Sequence, residues 1–378
     1  MTPEAFTGGR WTKRAEMAQV TRNSPNGWLA RWRDPAGRQR KKSFARKVDA
    51  QRWLDQMLSD LHRGRYIDPA AAKAMTGDYA DQWASGLAHL KVSTATRYRG
   101  IVRVHIVPRW GTWQLGKITL SDVNAWIADL AAEGLRPGTV RQTHRVLSLI
   151  LDTAVADGRI AGNPAARAKL PRQVRAEPVF LTAQQVAELA RASEPEDLSV
   201  LTLAFTGLRF GELAGLRVRR FDPLRRRLTV SESVTEVRGR LVWSTPKTHQ
   251  TRSVPVPRTL ATRIEELVQG RNQDEPIFRA PGGGVLRLRN WRMRVFDPAR
   301  DALGLRDLTP HDLRHTAASL AIASGANVKA VQRMLGHASA AMTLDVYAGL
   351  FADDLDAVAD ALDLLVPQPA PPVGEEAD

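Results

Sequence analysis

The chain has 378 residues, 43% of them hydrophobic, and 55 Lys and Arg against 40 Asp and Glu leave a net charge of +15. That length accommodates two or three domains with separate cores, and the basic surplus favours a polyanionic partner. The lack of cysteine excludes disulfides, thiolate nucleophiles and Cys-ligated zinc. The opening MTPEAFTGGRWTKR has no apolar signal core, and no stretch approaches the roughly 18 apolar residues of a membrane span. A cytoplasmic protein with no membrane partner is therefore expected.

Residues 1–64 are the most basic part, with fourteen Lys and Arg against six Asp and Glu, a net +8. GWLARWRD reads as a strand in which Trp28, Ala30 and Trp32 alternate with Leu29, Arg31 and Arg33. Pro35-Ala36-Gly37 supplies a turn, and RQRKKSF, carrying Arg40, Lys41 and Lys42, returns as a second strand. A helix over about 48–63 follows, with Ala50, Trp53, Leu54, Met57, Leu58 and Leu61 on one face. A small arginine-bearing sheet backed by one helix suits DNA binding, although a merely solvated basic hairpin would share the pattern.

After the linker RGRYIDPAAAKAM, residues 76–165 read as about four helices. Tyr79, Trp83 and Leu87 start the first. The second, capped by Ser93, runs through Tyr98, Ile101, Val102 and His105 to a stop at Pro108. The third begins near Ser121-Asp122, with Val123, Trp126, Ile127 and Leu130. The fourth follows Pro137 through Val140, Val146, Leu147 and Ile150 to Gly158. Arg97, Arg99 and Arg103 lie around the second helix, and Arg141 and Arg145 line the fourth. Pro164, Pro171 and Pro178 make the stretch 164–180 extended, with a linker over 166–180, since proline disfavours helix at and before its own position. The Pro-rich, acidic end at 366–378 is expected to be disordered.

The second half carries the chemistry in separated motifs. In TGLRFGELAGLRV, Leu208, Leu213 and Leu216 mark a buried helical face, with Arg209 and Glu212 one turn apart; alone, this is an ordinary i,i+3 ion pair. RRLTVSESV and VRGRLVWSTPKTHQTRSVPVP read as three short strands, turning at Arg238-Gly239 and again in a longer loop that carries Lys247. In LTPHDLRHTAASLAIASG, Thr309 caps, Pro310 fits the first helical position, Asp312 favours the positive end and Gly325 terminates. The helical period buries Leu313, Ala317 and Leu320 and turns His311 and Arg314 together to the other side. His311 and His315 are spaced as a metal pair, but no third ligand cluster accompanies them, and no metal is expected. Asn327 caps the next helix and Gly336 ends it, with His337 immediately after and Tyr347 in MTLDVY. GLFADDLDAVADALDLL is amphipathic, its leucines opposed by Asp353, Asp354, Asp356, Asp360 and Asp363.

Two guanidiniums can clamp phosphate oxygens, imidazoles and an ammonium can move protons, and a phenol can attack phosphorus. In order and spacing, Arg209, Lys247, His311, Arg314, His337 and Tyr347 resemble the tyrosine recombinase, or phage integrase, family closely. The motifs TGLRFGEL, TPKT, HDLRHT, LGH and DVY carry the resemblance, most strongly in the catalytic half. It implies a multidomain α+β fold: a small N-terminal β-sheet plus helix module for arm-type DNA sites (1–64), a helical core-binding domain (76–165), and a mainly α catalytic domain with a small antiparallel sheet (181–365). By the same resemblance Arg209 and Arg314 grip the scissile phosphate and Glu212 supports the site. Lys247 protonates the departing 5′ oxygen, His311 gives or takes a proton, and His337 donates to a phosphate oxygen. Tyr347 becomes 3′-phosphotyrosyl, and no cofactor is needed.

The implied partners are double-stranded attachment sites. Arg31, Arg33, Arg40, Lys41 and Lys42 would contact them from the front module, and Arg97, Arg99, Arg103, Arg141 and Arg145 from the helical domain. A tetramer on DNA exchanging C-terminal helices, accessory DNA-bending or directionality proteins, and residence in the host cytoplasm at the nucleoid complete the expectation. Type IB topoisomerases share the chemistry and Xer-type recombinases share the family, but neither would need residues 1–64. A DNA-binding regulator with a relic site would be free to lose any of the six positions.

Overall fold

The computed structural model describes residues 18–25, 27–34, 37–62, 71–173, 177–245, 251–350, 359–360 and 362–366. They form two units divided after Val174. The front of the first unit is an antiparallel sheet, β1 (Ala18–Ser24), β2 (Gly27–Arg33) and β3 (Gln39–Phe44) in that order, backed by α1 (Lys47–His62). β1 was not expected: AQVTRNS has little apolar alternation, and its pairing with β2 supplies what its own pattern lacks. Ala30, Trp32 and Leu54 form the buried centre, with Trp53 edge-on to Trp32 at 4.8 Å between ring centroids. At about 1.5–3 kcal/mol per large buried side chain, so small a core leaves the module marginally stable.

The β2–β3 register divides the basic residues. Lys42 lies opposite Ala30 and Arg40 opposite Trp32, so both share the face that packs on α1. Arg40 donates to Asp34 at 3.1 Å, and the Lys42 ammonium lies 4.7 Å from the Trp53 ring centroid. Arg31, Arg33 and Lys41 belong to the open face, along with Gln19.

The helical part contains α2 (Thr76–Ser85), α3 (Val92–Ile101), α4 (Val107–Trp110), α5 (Leu120–Ala132) and α6 (Pro137–Ala156) around Ile106, Trp110, Leu147 and Ile150. Three expectations need correction. Pro108 does not stop the second helix, which continues to Trp110 through a π-helical turn at Val102–Ile106. There the Val107 N–H reaches back five residues to the Val102 carbonyl. This widening accommodates the proline ring and its missing N–H. The same device recurs before Pro298, where Asp297 N–H bonds the Arg292 carbonyl. The cap of α3 sits earlier than expected, at Lys91 rather than Ser93, whereas α5 begins beside the expected Ser121 behind a Thr119–Asp122 capping box. Finally, much of the proposed linker is docked. Ala168 and Leu170 pack against the helical core, Asn124 accepts from the Lys169 N–H, and Arg141 donates to the Pro171 carbonyl.

The second unit holds α7 (Ala183–Ala192), α8 (Asp197–Thr206), α9 (Phe210–Ala214), α10 (Arg258–Val268), α11 (Leu288–Trp291), α12 (Asp297–Ala302), α13 (Asp312–Ala323), α14 (Val328–Leu335) and α15 (Ala340–Tyr347). Its strands are β4 (Phe221–Asp222), β5 (Arg227–Val230), β6 (Ser233–Val237), β7 (Arg240–Ser244) and β8 (Arg252–Pro255). The three strands expected as a meander are instead divided between two sheets: β8 returns to pair with β5, in the order β4-β5-β8, and β6–β7 stands as a separate hairpin. Leu228, Val230 and Val254 drive the first arrangement by facing one core. The hairpin turns at Arg238-Gly239, both with positive φ, as a type I′ turn requires. Among the described residues no helix is long and apolar enough to cross a membrane.

Candidate active site

α8 ends at Gly207, whose left-handed φ of 65° redirects the chain. A Cβ there would lie 2.6 Å from a Leu335 methyl, so both conformation and space demand glycine. Arg209 then stands not within a helix, as its spacing to Glu212 implied, but in extended conformation at the N-cap of α9. Glu212, 1% exposed, accepts from the Arg209 backbone N–H at 2.9 Å and from its guanidinium at 3.1 Å. It also receives both terminal nitrogens of Arg252, at 3.0 and 2.6 Å, while Arg252 Nε donates to the Met334 carbonyl. Burial alone would raise the Glu212 carboxyl. The paired bonds and charge of Arg252, followed by the bond and charge of Arg209, hold it below the ordinary carboxylate range.

Arg314 departs most from its expected position. It is 2% exposed, because the segments carrying Gly207 and Leu335 cover its side of α13. Its guanidinium donates to the Gly207 carbonyl at 2.6 Å and the Leu335 carbonyl at 2.7 Å. Those carbonyls lie two residues before Arg209 and two before His337, so one side chain fastens both motifs. Burial, then the charge of Arg209, push Arg314 down to about 9, and it stays cationic at neutral pH.

Gly336, with φ 68°, ends α14 as expected, and Asn327 caps its start by accepting from the Ala330 N–H. His337 follows and shares a 3.0 Å hydrogen bond with Thr343 through Nδ1. Burial, then Arg314 and Arg209, push it down to about 4. His311, rather than the expected Thr309, is the N-cap of α13, and its ring meets the His315 ring edge-on at 5.0 Å. Its outer edge is exposed, yet desolvation of the rest of the ring, then His315 and Arg314, push it down to about 4. Tyr347 is the last residue of α15 and 1% exposed. Burial pushes its phenol up to about 12, against the pull of Arg314. The hydroxyl lies 2.8 Å from Nδ1 of His315.

Residues 179–353 match the phage integrase family. Tyrosine recombinase XerC of Corynebacterium efficiens is 30% identical over 237 residues, covering 60% of this chain and 72% of that protein. The chain belongs to the tyrosine recombinase family. It is accordingly a tyrosine-type site-specific DNA recombinase. A putative prophage phiRv2 integrase of Mycobacterium tuberculosis is 28% identical over 356 residues, 89% of this recombinase and 92% of the relative. The fold is similar to that of the Tn1549 transposon integrase solved with a circular-intermediate DNA, at TM-score 0.65 and 21% identity over 77% of this chain and 99% of that one. A lambda integrase dimer bound to a core site gives TM-score 0.57 and 19% identity over 89% and 95%.

The structure thus brings Arg209, Glu212, His311, Arg314, His337 and Tyr347 of this recombinase into one electrostatic neighbourhood. Lys247 lies outside the described residues. Two residues of the site had no assigned role. Arg252 opens β8 directly after the Lys247 loop and braces Glu212, with its RSVP context the only sequence hint. His315 was weighed only as half of a metal pair, though its place beside Arg314 and four after His311 was the available signal. Of the helical-domain arginines, Arg97, Arg103 and Arg145 are exposed, whereas Arg99 also donates to the Ala84 carbonyl and Arg141 to that of Pro171.

Proposed function

We propose that this recombinase is a phage or mobile-element integrase that cuts and rejoins attachment-site DNA through a 3′-phosphotyrosyl bond on Tyr347, in integration and in excision. The observation that carries this reading is a surplus of positive charge, part of it buried, beside a phenol. Arg209, Arg252 and Arg314 interact with a single carboxylate, Glu212. A phosphodiester gaining charge in its transition state is the ligand that such a site stabilises. Arg209 and Arg314 clamp the non-bridging oxygens. With Thr343 on its Nδ1, His337 presents Nε2 as a donor to the same phosphate. Tyr347 Oη attacks phosphorus, O5′ departs, and the phosphotyrosyl link conserves the bond for a later 5′-hydroxyl to re-form without ATP.

Lys247 supplies the proton to O5′. A flexible ammonium can release a proton where a guanidinium cannot. Replacing the 5′ bridging oxygen by sulfur makes a leaving group that needs little protonation. Lys247→Ala is therefore expected to cleave that substrate far better than normal DNA, while Arg209→Ala stays defective on both. Equal defects of Lys247→Ala on the two substrates would reduce Lys247 to a phosphate contact.

The alignment to the prophage integrase spans 89% of the chain, against 60% for the XerC relative, which supports an integrase with a front module. Residues 1–64 read arm-type sites through Arg31, Arg33 and Lys41 on the open sheet face. Residues 76–165 grip the core site, and 181–365 carry out the chemistry. The enzyme works as a tetramer on DNA, with accessory bending or directionality proteins. The expected C-terminal helix lies largely outside the described residues, but Leu362, Leu364, Leu365 and Val366 are exposed in the single chain, which supports docking on a neighbouring protomer. Deleting residues 1–64 is expected to abolish arm-site gel shifts while cleavage of a core-site duplex survives. Arm binding that persisted would contradict the module assignment. The reading as a whole is tested by incubating the natural chain with nicked duplexes carrying element–chromosome junctions. A protein–DNA adduct resistant to denaturant is expected, and its absence on every junction would refute it.

A further inference from the structure

The geometry points to His315 as the base that holds the Tyr347 hydroxyl and accepts its proton when the phenol attacks phosphorus. This rests on the assignment of Tyr347 as nucleophile. Among the described residues three imidazoles surround the site, and of these His315 alone touches the reacting oxygen. His337 is committed through Nδ1 to Thr343, and His311 meets the site through ring contact with His315. His315 Nδ1 lies 2.8 Å from Tyr347 Oη, well within hydrogen-bond range.

The surroundings suit an acceptor. His315 is half-buried on α13, with Asp312 and Arg314 on its own helix, the edge of His311 beside it, and His337 and Tyr347 facing it from the segment of α15. Burial lowers its pKa; Asp312 opposes that shift and Arg314 reinforces it. The ring is thus neutral at physiological pH, with Nδ1 free to accept if the proton resides on Nε2. The phenol, raised to about 12, is almost wholly protonated there and cannot attack as phenolate without losing its proton to a neighbour.

The step balances. As the Oη–phosphorus bond forms and the phosphorus–O5′ bond breaks, the phenolic proton moves to His315 Nδ1, and O5′ takes a separate proton from the general acid. In religation the imidazolium returns its proton to the departing phenolate. Because α13 carries both Arg314 and His315, clamping the phosphate and deprotonating the nucleophile are fixed by one rigid element.

The test is single-turnover adduct formation on a nicked duplex across pH 5–9, with full-length His315→Ala, His315→Gln and Tyr347→Phe. General-base removal typically costs ~10²–10⁴-fold, so both His315 variants are expected to lose at least about 100-fold at pH 7 while retaining DNA gel shifts. The natural enzyme should slow as pH falls through the His315 titration, which burial places below the ordinary imidazole range. In His315→Gln, which keeps an acceptor but cannot titrate, that acid limb should vanish. An acid limb that persists in His315→Gln, or a near-natural rate in that variant, would assign the proton to another group and overturn the proposal. Tyr347→Phe separates the two readings: an adduct in that variant would refute the nucleophile itself, whereas loss there with active His315 variants would refute the base alone.

Discussion

Tyr347→Phe is expected to bind attachment-site DNA as the natural chain does and to form no covalent adduct. The substitution removes one oxygen from a side chain that is 1% exposed, leaving the ring, its packing near Phe180 at 6.3 Å and the end of α15 in place. The guanidiniums that attract the phosphate are untouched, so affinity should hold within a few-fold. Only the His315 hydrogen bond is lost from the fold, and a single neutral bond contributes about 0.5–1.5 kcal/mol. In the sequence Tyr66, Tyr79 and Tyr98 have no family motif around them. Tyr79 already donates to Asp157 and Tyr98 packs against Trp83, both in the first unit, and Tyr66 lies outside the described residues. A shifted band on a denaturing gel that persisted in the variant would mean a different nucleophile.

Arg314→Ala is expected to damage both chemistry and fold, which distinguishes it from Arg209→Ala. Loss of one preorganised donor to a developing oxyanion costs ~10²–10³ in rate, and both substitutions should show at least that. Only Arg314, however, bridges the Gly207 and Leu335 carbonyls. Stranding two buried acceptors costs about 1–3 kcal/mol each, offset by relief from burying a charge. Arg314→Ala should therefore unfold at clearly lower urea concentration than the natural chain. Arg209 is partly exposed and Glu212 keeps both Arg252 bonds without it, so Arg209→Ala should unfold near the natural midpoint. Arg314→Lys keeps a charge but not the planar fork, and should recover neither function fully. If Arg314→Ala melted like the natural chain while losing activity, the bracing role would be wrong.

What the sequence disclosed was what short-range rules govern. Asn327 and Gly336 bracket α14, Arg238-Gly239 turns the hairpin, and Pro137 opens α6, because a cap, a positive φ or a fixed φ acts within a few residues. What stayed hidden depends on distant partners. Arg314 was read as projecting freely, since the carbonyls that bury it lie 107 and 21 residues away. Arg252 meets Glu212 across 40 residues, and β8 turns back to β5 past an intervening hairpin. Pro108 marked a stop that a π turn circumvents, a choice that the core around Ile106 and Trp110 decides rather than the local propensity. Splitting the front module's basic residues between two faces required the register, and the two-strand reading did not reach β1.

The central claim is that the phenol in the arginine-lined site becomes joined to DNA. The most direct measurement is mass spectrometry of the peptide–nucleotide conjugate recovered after trapping the natural chain on a nicked duplex and digesting both polymers. The account predicts a 3′-phosphonucleotide on Tyr347, in the peptide that runs from Met334 or Gly336 onward through MTLDVY. A nucleotide on any other residue, or one joined through its 5′ phosphate, would contradict it.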